Sequence, residues 1–264
     1  MSNKSNNNSN LAGKTAIITG ASKGIGKAIA MRLAASGVNL FLAARTQTTL
    51  DETVKEITKK YKVKAYGLST DVSRLEDLQR LVATAIRELK NIDILVNNAG
   101  VSSQYPFEKQ PMEDLEKLAH TNYLGYVRLI RLIIPYMLER KSGAIINMVS
   151  GSTLCDPLPR NFLAYSSLKV GLRSFLKGLF WEMRDRGIKV TSILPGVVDS
   201  DLTGHLQDIA KEQKDRLMSA EAVADMVMFA LSVPQNACPL ELAVINQQTP
   251  WTKPVIDYAQ APAK

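Results

Sequence analysis

Two cysteines in 264 residues leave this chain at most one disulfide, and Cys155 and Cys238 match neither a C-x-x-C pair nor a metal-ligand spacing. Reduced thiols are expected, with no disulfide and no metal site. Long hydrophobic runs are also missing. Nothing approaches the roughly 18 to 20 apolar residues of a membrane span, and the N-terminal ten residues carry no hydrophobic signal-peptide core. A soluble, cytoplasmic protein with no membrane partner is therefore expected. No solenoid-type repeat is present, and no Pro-, Gly- or Ser-rich linker marks a second domain. Acid is in deficit, with a formal net charge of +8. The Lys and Arg residues are interspersed with acids along helical stretches, which reads as a solvated surface and not as a nucleic-acid interface. Part of the excess, notably Lys23 and Arg45, is placed to serve an anionic cofactor.

What is present is globular composition, 45% hydrophobic and 22% charged, in a chain long enough to bury a substantial core. Residues 1–10 are Asn- and Ser-rich and read as a disordered tail. Short β-branched runs follow at 14–19, 38–44, 63–69, 92–97, 144–149, 188–194 and 241–246. Amphipathic stretches at 24–36, 47–60, 74–90, 112–139, 163–186 and 219–232 separate them. This alternation predicts an α/β fold: one Rossmann-type, doubly wound domain over 11–247, with a seven-stranded parallel sheet and helices on both faces. Residues 248–264, with Pro250, Pro254 and Pro262, read as an irregular tail.

The first strand runs into Thr19-Gly20-Ala-Ser22-Lys23-Gly24-Ile25-Gly26. Glycines suit a turn where a pyrophosphate approaches the free N–H groups of a helix N-terminus. The spacing Gly-x-x-x-Gly-x-Gly departs from the common Gly-x-Gly-x-x-Gly. About 20 residues on, where an NAD site carries an acid for the ribose 2′-hydroxyl, the second strand ends in Ala44-Arg45-Thr46. With no carboxylate there, a 2′-phosphate would meet the Arg45 guanidinium and the Lys23 ammonium. NADP(H) is the expected cofactor.

Further on, Ala164-Tyr165-Ser-Ser-Leu-Lys169 places a phenol and an ammonium one helical turn apart. The ammonium is expected to lower the phenol pKa and ready it for proton transfer. On Leu168, Leu172, Phe175, Leu176, Leu179 and Met183 the same helix carries an apolar stripe that anchors it.

Taken in order, these motifs resemble the short-chain dehydrogenase/reductase family from Lys14 to about Asn246. The matching residues are Thr19-Gly20-x-x-x-Gly24-x-Gly26, Asp71-Val72, Asn97-Asn98-Ala99-Gly100, Asn122, a serine at the end of the fifth strand, Tyr165-x-x-x-Lys169 and Pro195-Gly196. The resemblance implies a role for each. Asp71 would accept from the adenine amino group while Val72 packs the ring, although Asp71 could equally cap the helix that follows. Asn98, Ala99 and Gly100 would line the cofactor. Asn122 would support a water joining Lys169 to solvent, or be an ordinary helix residue bonded to backbone. Lys169 would also hold the nicotinamide ribose, Pro195, Gly196 and Val198 would wrap the carboxamide, and Ser200 would lie near the cofactor.

The serine is open between two positions. The family's usual spacing, 13 residues before the tyrosine, selects Ser152, whereas the strand Ile145–Val149 as anchor selects Ser150. Implied is reversible hydride transfer between NADP(H) and a carbonyl or secondary alcohol, with the serine orienting the carbonyl and Tyr165 as acid and base. An epimerase on the same fold and a catalytically silent NADP(H)-sensing regulator are the alternatives. Expected substrate walls include Leu154, Cys155, Arg160, Phe162, Tyr105, Leu202 and His205. The last strand lacks the family's glycine-rich ending and resembles the branch acting on small hydroxy acids and semialdehydes. Trp251 and Tyr258 in the tail would dock on a neighbouring subunit or on their own chain, and a dimer or tetramer is expected.

Overall fold

A computed structural model describes residues 11–203 and 215–251. The expected tail 1–10, His205, Tyr258 and most of 248–264 lie outside the described residues. In chain order the elements are β1 (Thr15–Thr19), α1 (Gly24–Ala35), β2 (Asn39–Ala44), α2 (Gln47–Lys60), β3 (Ala65–Ser69), α3 (Leu75–Leu89) and β4 (Ile94–Asn97). Then follow α4 (Met112–Ala119), α5 (Gly125–Glu139), β5 (Gly143–Met148), α6 (Leu163–Met183), β6 (Ile188–Pro195), α7 (Ala220–Ser232) and β7 (Glu241–Val244).

The strands form one sheet in the order β3-β2-β1-β4-β5-β6-β7, every neighbouring pair parallel. From β1 the chain winds outward to β2 and β3, then returns to lay β4 on the other side of β1 and winds outward again. Loops beyond the carboxyl ends of β1 and β4 thus diverge, and a crevice opens between them. The seven-stranded doubly wound sheet is the architecture that the alternation of patterns predicts.

Period-two alternation divides the core into two layers. Ile17, Leu95, Ile145 and Leu194 face a layer built with α3, α5 and α6. Their neighbours Ile18, Val96, Ile146 and Ile193 face the layer of α1, α2 and α7. On α6 the buried residues are Ser166, Lys169, Leu172, Leu176, Leu179 and Met183. Fully buried leucines such as Leu172 contribute about 1.5–3 kcal/mol each. Ser166 and Lys169 continue that stripe toward the crevice, so the packing that holds α6 also fixes its polar end.

Two of the departures from the expected element boundaries shape the cleft. The predicted helix 112–139 is broken by a π-helical turn at His120–Leu124, which admits an extra residue between α4 and α5. A Cβ on Gly125 would meet the Val72 carbonyl oxygen at 2.7 Å, so this kink lets the helix press against the end of the third strand unit. The last strand stops at Val244 instead of Asn246. Asn246 turns inward, donating to the carbonyls of Val197 and Arg216, each at 2.8 Å, and so leaves the ladder.

Candidate active site

The crevice is a cleft of about 880 Å³ along the carboxyl ends of β1, β2, β4, β5 and β6. At its β1 side Gly20 and Gly24 take left-handed φ of 64° and 53°. A Cβ on Gly20 would lie 2.9 Å from Asn98 Nδ2 and 3.0 Å from Ala99 Cα. Asn98 Nδ2 donates to the Thr19 and Gly20 carbonyls at 3.0 and 3.2 Å, and the Asn98 and Ala99 amides donate to Thr19 Oγ1. The glycine turn and the β4 end are thereby one unit. No side chain caps α1, so its first-turn amides are free of a capping partner, as a phosphate site requires. Ser22, Lys23, Gly24, Ile25, Arg45, Thr46 and Ala99 line this end.

Gly26 does not line the cleft. A Cβ there would meet the Gly20 carbonyl oxygen at 2.1 Å, so its place is inside the turn, where it allows α1 to pack against β1. What Gly26 does directly is let the turn that a cofactor would meet close on itself. Lys23 forms an ion pair with Asp201 across the cleft mouth, both side chains exposed. Asp71 accepts from the Ser73 amide and hydroxyl through the same Oδ1, at 2.9 and 2.7 Å, an Asx turn ahead of α3, whose N-cap residue Arg74 has no side-chain cap. Burial pushes its carboxyl pKa up, and the Ser73 bonds with Arg45 and Arg74 outweigh this, so the net shift is downward. Asp71 and Val72 also line the cleft.

On the β5 side the Tyr165 phenol is hydrogen-bonded to Ser150. Ser150 Oγ donates to Ser152 Oγ at 3.0 Å and accepts from the Ser152 amide at 3.2 Å, while Ser166 Oγ also donates to Ser152, at 3.1 Å. The hydroxyl in contact with Tyr165 is therefore that of Ser150, and Ser152 stands behind it. A short 3-10 turn follows at Gly151–Leu154, and both serines line the cleft.

Lys169 is buried, its Nζ donating to the Met148 carbonyl at 2.8 Å and lying 4.6 Å from the centre of the Tyr126 ring. Burial pushes its pKa down to about 7. Burial also raises the Tyr165 phenol, and the Ser150 bond opposes this without reversing it. The expected lowering of the phenol by the ammonium is thus corrected for the protein alone: Lys169 is spent on a strand-end carbonyl, and burial dominates both groups.

Asn122, wholly buried in the π-turn, accepts from the Val101 amide at 3.1 Å and donates to the Val101 carbonyl at 2.8 Å. Gly100 leaves room for it, since a Cβ there would stand 3.0 Å from its Oδ1. At the β6 end Pro195, Gly196, Val198 and Ser200 line the cleft. A Cβ on Gly196 would meet Asn246 Oδ1 at 2.5 Å. Of the expected substrate walls, Cys155, Phe162 and Leu202 line the cleft, while Leu154, Tyr105 and Arg160 do not. Sequence reasoning missed Tyr126, Met148, Ile245, Asn246 and Pro250 as lining residues. Trp251 also lines it, packed edge-on against Phe162 of its own chain with centroids 5.9 Å apart. Among the described residues, no cluster of metal-ligating side chains occurs, Cys155 and Cys238 are free, and no helix is long and apolar enough to cross a membrane.

Fold and cleft together define a doubly wound α/β protein with a dinucleotide-type glycine turn facing a serine, tyrosine and lysine group. A family model described as short chain dehydrogenase matches residues 14–211, and the chain belongs to that family of oxidoreductases. An uncharacterized oxidoreductase of Staphylococcus epidermidis is 31% identical over 231 residues, covering 88% of this chain and 96% of the relative. A 3-oxoacyl-[acyl-carrier-protein] reductase of the same species is 31% identical over 201 residues, covering 76% and 81%. Among solved structures, a variant of actinorhodin polyketide ketoreductase with NADPH superposes with a TM-score of 0.81 at 28% identity, covering 88% of this chain and 96% of that one.

Proposed function

We propose that this protein catalyses reversible hydride transfer between NADP(H) and a carbonyl or secondary alcohol. The observation that carries the reading is the Ser150 hydroxyl bonded to the Tyr165 phenol in the same cleft as the glycine turn. The residues present fit a dinucleotide: an uncapped helix N-terminus, a turn with no room for side chains, and basic residues in place of a ribose-binding acid. Arg45 and Lys23 would hold the 2′-phosphate, and Lys169 and the Pro195–Val198 backbone would hold the nicotinamide end. When bound, the cofactor supplies or accepts the hydride.

The chain's own residues do the rest. Ser150 orients and polarises the carbonyl oxygen by donating its hydroxyl. Tyr165, held as the neutral phenol by burial, protonates the developing alkoxide. Lys169 lies one turn away on the buried face of α6 and stabilises the tyrosinate left behind. Asn122 fixes the backbone beside it. A relative named as a 3-oxoacyl reductase and a structural neighbour bound to NADPH support carbonyl reduction with the phosphorylated cofactor.

The test is NADPH oxidation with a panel of aldehydes and ketones by the wild type and by Tyr165→Phe. Turnover should fall by about 10³-fold or more in the variant, in keeping with the loss of a positioned proton donor. NADPH binding should persist. Retained turnover removes Tyr165 as the acid, and a preference for NADH over NADPH removes the assignment of Arg45 and Lys23.

A further inference from the structure

The cleft end away from the glycine turn is walled by Cys155, Pro159, Phe162, Ile245, Pro250 and Trp251. Three contacts place this wall beside the reacting hydroxyls. Phe162 immediately precedes α6, one turn before Tyr165 and Ser166, and its carbonyl accepts from the Ser166 amide at 2.8 Å. A Cβ on Gly151, next to Ser150, would meet Ile245 Cδ1 at 2.7 Å. Trp251 meets the Phe162 ring edge-on. The segment that delivers Ile245 and Trp251 is held in place, since Asn246 bonds the Arg216 carbonyl and Arg216 in turn donates to the Thr249 carbonyl at 3.2 Å. Ile245 nevertheless keeps 52% of its surface exposed. It is an apolar side chain in the cleft with that face uncovered.

Charge is distributed in the opposite sense. Among the described residues, the charged ones lining the cleft are Lys23, Arg45, Asp71, Lys117, Lys169 and Asp201. Lys23 and Asp201 pair with each other, and Arg45 acts on Asp71, all at the glycine-turn end. Lys169 is committed to the Met148 carbonyl beneath Tyr126. Lys117 stands on α4 one turn before Thr121, toward the place where Gly125 abuts Val72. None of them belongs to the wall around Phe162 and Trp251. A substrate carboxylate seated there would be desolvated without a cation, whereas a ring would gain apolar contact and edge or face packing against two aromatic side chains.

We infer that the site takes an uncharged ketone carrying an aromatic or alicyclic ring, and that Trp251, seated on Phe162, is the residue that selects it. The inference rests on the carbonyl-reductase reading above. It departs from the small hydroxy acids that the sequence of the last strand suggests, because no cation lines the described wall and the guanidinium behind it, Arg216, donates to the Thr249 carbonyl.

The experiment compares acetophenone, 2-butanone and acetoacetate with the full-length wild type, Trp251→Phe and Trp251→Ala. NADPH binding, read by its fluorescence, serves as the folding control. With the wild type, kcat/KM for acetophenone should exceed that for acetoacetate by about 10-fold or more. Trp251→Ala should lower kcat/KM for acetophenone on the order of 10- to 100-fold and for butanone far less, with Trp251→Phe between. A preference for acetoacetate, or an equal loss for all three ketones in Trp251→Ala, overturns the inference and leaves the carbonyl-reductase reading standing. Binding of acetophenone to the NADP+-loaded protein is followed separately, by quenching of tryptophan fluorescence that disappears in Trp251→Phe. Such binding without turnover of any carbonyl upholds the ring pocket and overturns the reductase reading.

Discussion

Asn122 and Asn246 perform the same act at two strand ends. Each uses its carboxamide as a peptide surrogate, accepting from one amide and donating to the carbonyl of the same residue: Val101 beyond β4 and Val197 beyond β6. Between them, at the end of β5, Lys169 reaches the Met148 carbonyl in a comparable way but brings a charge. Strand-end backbone at the rim of a parallel sheet has left its ladder and needs partners. Here the partners are side chains from distant segments, and they shape the cleft floor. The difference lies in surroundings, since Asn122 is wholly buried, Asn246 is half-buried, and Lys169 is a buried cation without a carboxylate among its contacts.

That contrast is most easily broken at Asn122. Asn122→Leu removes both side-chain partners of the Val101 backbone from a wholly buried position, and each unmet backbone group costs about 1–3 kcal/mol. A loss of about 2–5 kcal/mol in urea unfolding is expected. A loss below about 1 kcal/mol would mean that the two clamps are not separated by burial.

Lys169 comes next, and pH resolves it. Its pKa, ordinarily 10.5, is pushed down to about 7 in the folded protein. Between those values the unfolded chain holds the extra proton, so this group makes stability rise with pH from about 7 toward 10.5, and below about 7 it destabilises in full. Lys169→Met should remove a slope of up to about 1.4 kcal/mol per pH unit in that window. Identical pH profiles for the two proteins, measured by thermal unfolding, would show that the ammonium is not desolvated.

These residues also show what a sequence can reveal. The glycine turn, the strand alternation and the Tyr165–Lys169 pair are local patterns, each imposed by backbone geometry within a few residues, and the fold follows from them. Asn122 was legible as a motif, but its π-turn was not, because the apolar periodicity of 112–139 runs through an inserted residue without a visible break. Asn246 and Trp251 carried no pattern at all. Their partners, Val197 and Phe162, are 49 and 89 positions away in the chain, and only the sheet order brings them together. Spacing and strand register select different serines, Ser152 and Ser150, and both line the cleft, joined through their hydroxyls across the start of a 3-10 turn. Lys169 illustrates a limit of another kind. Its motif partner, one turn away, is Tyr165, yet burial decides its proton.

Asn246→Leu should cost less than its counterpart, about 1–2 kcal/mol, because Asn246 is itself half-buried where Asn122 is wholly buried. Its stronger effect should fall on KM for the nicotinamide cofactor, since Gly196 and Val197 lose their support while Ser150 and Tyr165 are untouched. A fall in kcat with unchanged KM would place Asn246 in the chemistry and not in the wall.

The smallest effect is expected at the cleft mouth. Lys23 and Asp201 are both exposed, so their pair contributes roughly 0–1 kcal/mol, and Asp201→Asn should leave unfolding stability within about 0.5 kcal/mol of the wild type. Binding is a sharper probe than stability. If Lys23 receives a 2′-phosphate, Asp201 competes with that phosphate for the same ammonium. Asp201→Asn should then tighten NADPH binding by about 2- to 5-fold at low salt, leave NADH binding unchanged, and lose the difference near 1 M salt, where the screening length falls to about 3 Å. Equal tightening for both cofactors would place Lys23 on the shared pyrophosphate, and Arg45 alone would then carry the discrimination.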